Sequence, residues 1–389
     1  MAATMTDIVR VVVFFPKANH SNQFSAKRSM KISDFISAFR SKLSSMDIGG
    51  PGYMLYAPNR RVAGGPGIYL NPTSVVGDYE HLFDHSLHYR STERQIAVRI
   101  LNNTSSVVTI DEREPLRKAV VAVCNRLGVA PTDEYGLMVD VASTHESRER
   151  IILQGMLSTV APPPRSTSLI FDQPERKRRR PAALAALNDQ DIFLDLQKSM
   201  VELALDEATV FLFKRRFYFN DYFSTPSDFP TLSMHFYQAA YDITNGRYCT
   251  PRHILCKLGA LFLQATLGDY QDHIARTVDL SALLTADLLH EGKHEKRAIQ
   301  LIKEMWQSIS PGMLNQASAM HEYMQTTREI KDYGSTYYIA LEPGARLDKL
   351  QQLAIGISRD FITIVDNKER VRSGLILMLF YCIFANVYC

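Results

Sequence analysis

Apolar positions change their period several times along this chain, and each change marks an element. Residues 8–15 read IVRVVVFF, an alternating β-branched and aromatic run that predicts a strand. Residues 21–28 offer it a hairpin partner. Ile32, Phe35, Ile36, Phe39 and Leu43 then recur at helical spacing. Gly and Pro punctuate 49–67, leaving short apolar pieces at Tyr53–Tyr56 and Gly67–Leu70, and a further strand closes at Ser86–Tyr89. Two strands, a helix and more short strands predict a ubiquitin-like β-grasp unit. The pattern then repeats. Gln95–Leu101 alternates, Val107–Ile110 pairs with it, and Asn102-Asn103 makes the turn. Pro115 opens a helix with Leu116, Ala119, Val120 and Val123 on one face, and Gly128 ends it. Glu134–Val139 is another strand. The last strand, Thr209–Lys214, comes some seventy residues later, so this second β-grasp unit carries a large insertion at roughly 144–198.

From 232 to 333 the period is helical. Leu232, Phe236, Ala239, Ala240 and Ile243 form one face, closed by Asn245-Gly246. Thr250 is read as the cap of a helix whose first residue is Pro251, burying Ile254, Leu255, Leu258, Leu261, Phe262 and Ala265. A shorter helix follows near Leu280–Leu289. The next turns Ile299, Ile302, Trp306 and Ile309 inward and Lys296, Gln300, Lys303 and Gln307 outward. Ser310-Pro311 predicts the start of the last helix, with Met313, Ala317, Met320 and Met324 on one side. Strands return at Thr336–Leu341, Ala354–Ser358 and Phe361–Val365, with Asp366-Asn367 as a turn.

Composition narrows the function classes. The chain has 389 residues, a net charge of +3 and 22% charged residues, so no global footprint for nucleic acid is present and any basic site is local. The five cysteines, Cys124, Cys249, Cys256, Cys382 and Cys389, form no C-x-x-C pair or regular framework, which predicts reduced thiols in a cytoplasmic protein. Val9–Phe15 is too short for a secretory leader. The apolar run Gly374–Cys389 has 16 residues, short of the roughly 20 that span a bilayer as a helix.

Local charge is concentrated in the insertion. It contains Pro162-Pro163-Pro164 and the run Arg176, Lys177, Arg178, Arg179 and Arg180. Residues 165–180 sum to +4, so the segment is expected to stay a loop, with a transient helix at Asp191–Leu203. A second charge-bearing feature is Arg252 and His253, just inside a helix start, with Lys257 one turn on. Cations there oppose the macrodipole, and the same geometry attracts anions. One enzyme motif is present, His290-Glu291-Gly292-Lys293-His294. A zinc hydrolase carries such a motif inside a helix, with both imidazoles on one face and the glutamate activating the bound water. Here Gly292 weakens any helix by about 1 kcal/mol, and the segment falls in a charged connector. The expectation is a chain that is not an enzyme and needs no cofactor or metal.

Around Phe211–Gly246 an apolar strand ends in Lys214, Arg215 and Arg216, followed by Phe217, Tyr218 and Phe219, and then by LSMHFYQAAYDITNG. This basic trio, aromatic cluster and opening helix resemble the junction between the first and second lobes of FERM domains, most closely those of talin heads. GIYLNPTSVVGDY (67–79), EYGLMV (134–139) behind RLGVAP, REIKDYGSTYYIAL (328–341) and the strand at Leu353–Ser358 resemble further family segments in order, over about 8–370. The resemblance implies an α+β multidomain chain. It has two ubiquitin-like β-grasp lobes, a helical bundle lobe (acyl-CoA-binding-protein-like) and a partial PH/PTB-like β lobe. The implied divisions are 1–92 for an extra N-terminal lobe, 93–217 for the first FERM lobe with its basic insertion 144–198, 218–332 for the helical lobe, and 333–389 for a partial third lobe with an atypical apolar tail.

The same resemblance implies a cytoplasmic adaptor at the membrane periphery and the cytoskeleton. Its expected partners are acidic phospholipids (phosphoinositides), an adhesion-receptor tail and actin. The lipid contacts implied are Arg176, Lys177, Arg178, Arg179, Arg180, Arg252, His253, Lys257, Arg328 and Lys331. His20, Arg40 and Lys42 fall near positions where talin-like lobes meet a Ras-like small GTPase. The strand region that grips an NPxY-type tail in the family has no basic and tryptophan counterpart after Arg372, which removes the sequence basis for receptor binding there. The alternatives are a zinc hydrolase through His290, Glu291 and His294, and a FERM scaffold of another family.

Overall fold

The computed structural model describes residues 7–58, 67–102, 104–140, 193–205, 209–218, 226–248, 250–285, 288–289, 292–309, 312, 314–330, 332–343, 350–357, 362–366 and 371–374. The run Arg176–Arg180, Lys331 and the pair His290-Glu291 lie outside them.

Alternation produces the first sheet. In β1 (Ile8–Phe15) every second side chain is buried, and it pairs antiparallel with β2 (His20–Lys27). The helix α1 (Ile32–Lys42) lays Ile32, Phe35 and Phe39 on this sheet, and Phe39 meets Phe15 and Tyr89 edge-on at 5.5 and 5.0 Å. β3 (Tyr53–Ala57), β4 (Ile68–Tyr69) and β5 (Leu87–Ser91) complete the order β2-β1-β5-β3-β4, with β1 and β5 parallel.

The plan recurs. β6 (Glu93–Ile100), β7 (Ser105–Asp111), β8 (Tyr135–Val139) and β9 (Val210–Arg215) are ordered β7-β6-β9-β8, with β6 and β9 parallel. The helix α2 (Leu116–Leu127) follows Pro115 and ends at Gly128 in the left-handed conformation, φ +68°, which glycine adopts without steric cost. Only Thr92 separates β5 from β6, and a buried carboxylate locks this junction. Glu112, 2% exposed, takes the guanidinium groups of Arg90 and Arg94 (2.5 Å for Arg94) and the Tyr69 hydroxyl.

Residues 193–205 depart from the helix expected at 191–203. They form a strap of turns on the second sheet. Phe193 bridges to Met138, Leu194 N–H donates to Leu137 C=O at 2.9 Å, and Lys198 and Leu196 carbonyls accept from the first N–H groups of α2. Backbone partners offered by β8 and α2 outcompete an isolated helix, whose short length makes nucleation costly.

Helices then take over. α3 (Phe229–Thr244) is capped by Asp228, whose carboxylate accepts from Thr231 N–H at 2.8 Å. α4 (Arg252–Leu267) is the central helix. α5 (Asp272–Thr277) follows it, and the stretch expected to be a helix near Leu280–Leu289 begins as a 3-10 turn at Leu280–Leu283, with helical residues at Leu288 and Leu289. α6 (Lys293–Ile309) and α7 (Gln316–Thr327) complete the cluster. Two expected caps differ. Pro251 itself takes the N-cap position of α4, while Thr250 donates to Tyr248 C=O. Asn315, accepting from Ser318 N–H at 2.9 Å, caps α7 in place of Ser310. One core joins Phe236, Leu255, Leu258, Phe262, Ile302, Trp306, Met320 and Tyr323. Last comes an antiparallel sheet of β10 (Thr336–Pro343), β11 (Leu350–Ile357), β12 (Ile362–Asp366) and β13 (Val371–Gly374).

Candidate anion-binding site

Two helices of the cluster point the same way. Cys256 Sγ lies 3.8 Å from Ala298 C=O, Gly259 faces Ile302, and Trp306 Nε1 donates to Gly268 C=O at 3.0 Å, so α4 and α6 advance together. Gly259 permits this approach, because a Cβ there would stand 3.0 Å from Ile302 Cδ1. The consequence is electrostatic. Both N-termini, and both positive dipole ends, open at one end of the cluster.

That end gathers cations from two distant parts of the chain. Arg252 and His253 are exposed in the first turn of α4, and no side chain caps it. Lys293, Lys296 and Arg297 are exposed in the first turns of α6, beside His294 and Glu295. Arg252 Nη1 lies 3.0 Å from His294 Nδ1. A guanidinium only donates, so Nδ1 accepts and the ring proton belongs on Nε2. Cations beside positive helix ends cost stability in isolation and suit a bound anion.

The other expected contacts sit differently. Lys257, half-buried, is held by Glu322 at 3.1 Å and Glu329 at 4.0 Å on and beyond α7. Arg328 is half-buried just past α7. His20, Arg40 and Lys42 are exposed at one end of the first sheet, since His20 pairs with Phe15 and Phe15 packs on Phe39. Gly292 turns at φ +48° and α6 begins at Lys293, while His294 faces a guanidinium.

Two of the basic trio, Lys214 and Arg215, prove to form an internal junction, while Arg216 is half-buried. Lys214 and Arg215 are each 2% exposed. Lys214 Nζ meets Asp242 at 3.2 Å, and Arg215 Nη2 meets Glu134 at 2.5 Å. Gln238 closes a pair of bonds with the Arg215 backbone, accepting its N–H at 2.6 Å and donating to its carbonyl at 2.8 Å. Tyr218 donates to Asp242, and burial pushes its phenol well up. His235 stands between Tyr135 (3.2 Å) and Arg215 (3.4 Å). His235, Gln238 and Asp242 recur at helical spacing on one face of α3. That spacing was the available signal for a polar seam.

Residues 224–338 match the family model of the FERM central domain. Human talin-2 is 23% identical over 306 residues, covering 78% of this chain and 11% of that protein. Talin of Oscarella pearsei is 22% identical over 357 residues, covering 90% and 13%. The chain therefore spans about an eighth of the length of these relatives. Among solved structures, the FERM and C-terminal domain complex of Drosophila Merlin aligns with a TM-score of 0.49 at 13% identity, covering 72% of this chain and 78% of that one. The chain thus carries a FERM central domain at 224–338 and is talin-like over most of its length.

Proposed function

We propose that this chain is a non-enzymatic FERM adaptor that docks on acidic phospholipid, phosphoinositide in particular, as part of a talin-like link between adhesion sites and the actin cytoskeleton. The cation cluster at the joined N-termini of α4 and α6 carries the reading. The run Arg176–Arg180, between Asp140 and Phe193 in sequence, is a second contact. The lobes are read as 1–92, 93–217, 218–332 and 333–389. A separate apolar core at 11–89 supports the first division, while the other two clusters meet across 217/218, with Met234 in one and Leu101 and Leu212 in the other. The first lobe offers His20, Arg40 and Lys42 to a Ras-like small GTPase. The chain acts at the membrane periphery, and no helix among the described residues is long and apolar enough to cross a bilayer.

Cosedimentation with phosphoinositide vesicles tests this. Each basic residue near an anionic leaflet contributes about 1 kcal/mol. Replacing Arg252, Lys296 and Arg297 by alanine should therefore weaken binding about a hundredfold at low salt. Binding should also fall steeply as salt rises. Binding indifferent both to salt and to these residues and Arg176–Arg180 would sink the lipid reading.

A further inference from the structure

The opposite end of α4 carries a different kind of site. A cavity of about 1000 Å³ opens between the last turn of α4, the helix α5 and the start of α7. It lies about 24 Å along a sixteen-residue helix from the cation cluster. Leu267, Ile274, Val278 and Leu314 give it an aliphatic wall. Its polar floor is built. Gln264, 2% exposed, donates from Nε2 both to Asp269 Oδ1 at 2.8 Å and to Leu314 C=O at 2.9 Å. Gly312 N–H donates to Asp269 Oδ2 at 3.3 Å. The Asp269 carboxylate is thereby fixed in place, and among the described residues it is the one charged side chain lining the cavity.

The electrostatics choose the ligand. A carboxylate has about four acceptor positions, and these two bonds leave capacity for another donor. α4 ends here, which adds the negative end of its dipole. The opposing positive end of α7 is capped by the Asn315 side chain. An aliphatic wall around one fixed negative charge fits a cationic side chain beside apolar ones. We infer that this cavity docks a peptide segment in which a lysine or arginine is flanked by aliphatic residues. Larger pockets with a few convergent polar groups are where ligands concentrate. The inference stands apart from the lipid reading, because it uses the other end of the helical cluster.

The chain supplies its own reporter. Trp306 is its single tryptophan, donates to Gly268 C=O and stands edge-on to Tyr270 at 5.1 Å, so its two partners flank Asp269. Titrating the whole chain with acetyl-Leu-Arg-Leu-Leu-amide should change Trp306 fluorescence saturably. The response should weaken at least tenfold in Asp269→Asn and vanish in Thr277→Tyr, which fills the cavity from an exposed position on α5. The peptide with glutamate in place of arginine should give no response. Vesicle binding should be unchanged in both variants. Equal responses to the two peptides, undiminished binding in Asp269→Asn, or no saturable response to millimolar peptide would each overturn the proposal.

Discussion

At the scale of single residues, the buried charges set the stability. Arg215 and Glu134 are each 1% exposed in their side chains, and so must face each other. Removing one partner of such a pair leaves a charge in a site that cannot hydrate it. Glu134→Ala should cost about 3–5 kcal/mol in chemical denaturation. Exchanging both partners for apolar residues of similar volume should cost much less. A loss under 1 kcal/mol for Glu134→Ala would mean that the pair is solvated and the junction loose.

Cysteine chemistry gives a second residue-scale expectation. Burial pushes the Cys124 thiol to about 12 and also raises that of Cys256. Both stay protonated near neutrality, and both are buried. Iodoacetamide at pH 8 should leave them unlabelled until the chain unfolds. The sign of the pH effect follows. The folded thiol holds its proton, and the unfolded one releases it near its ordinary value of 9.0. This contribution to stability is complete below pH 9 and fades as pH rises toward 12. Cys124→Ala should flatten that part of the alkaline decline.

At the scale of elements, α4 is the axis on which the helical cluster depends. Its glycine at 259 decides how near α6 can come, and Ile302 fills the space. Gly259→Ala should push α6 away or force Ile302 from its rotamer, costing about 1–3 kcal/mol by thermal or chemical unfolding. Vesicle binding should fall with it, because the two N-termini would separate. Full stability in this variant would show that the helices yield easily. Element positions were largely legible beforehand. Strands β1 to β9 and the helices at 116–127, 229–244, 252–267 and 293–309 follow runs whose period is written in adjacent residues. The misreadings have two causes. Thr250 and Ser310 lost the cap position to near neighbours, Pro251 and Asn315, whereas the segment 193–205 is held by partners distant in sequence, Leu137 and the first N–H groups of α2.

At the scale of the molecule, polar junctions replace linkers. Glu112 holds the first sheet to the second with no spacer but Thr92, and the Lys214–Asp242 and Arg215–Glu134 pairs hold the second sheet to the helices. The cations at the N-termini of α4 and α6 are presented as a fixed array by the packing of those two helices. The vesicle experiment therefore also reads geometry, since fixed cations engage one flat surface together and give a steeper salt dependence than independent ones.

By itself, the sequence determined where strands and helices form, that their order repeats in the first two units, and that the helices at 229–327 share a core. These follow from periodicity, which is a property of neighbouring residues. Only the tertiary structure decided which cations meet solvent. Lys214 and Arg215 end an apolar strand in the sequence, and the fold buries them against Asp242 and Glu134. Lys257 is bound by Glu322 and Glu329. Arg252 and His294, 42 positions apart, meet because α4 and α6 run parallel. Charge is written residue by residue, but its availability depends on which faces pack and which helix ends coincide, and packing between distant segments fixes both.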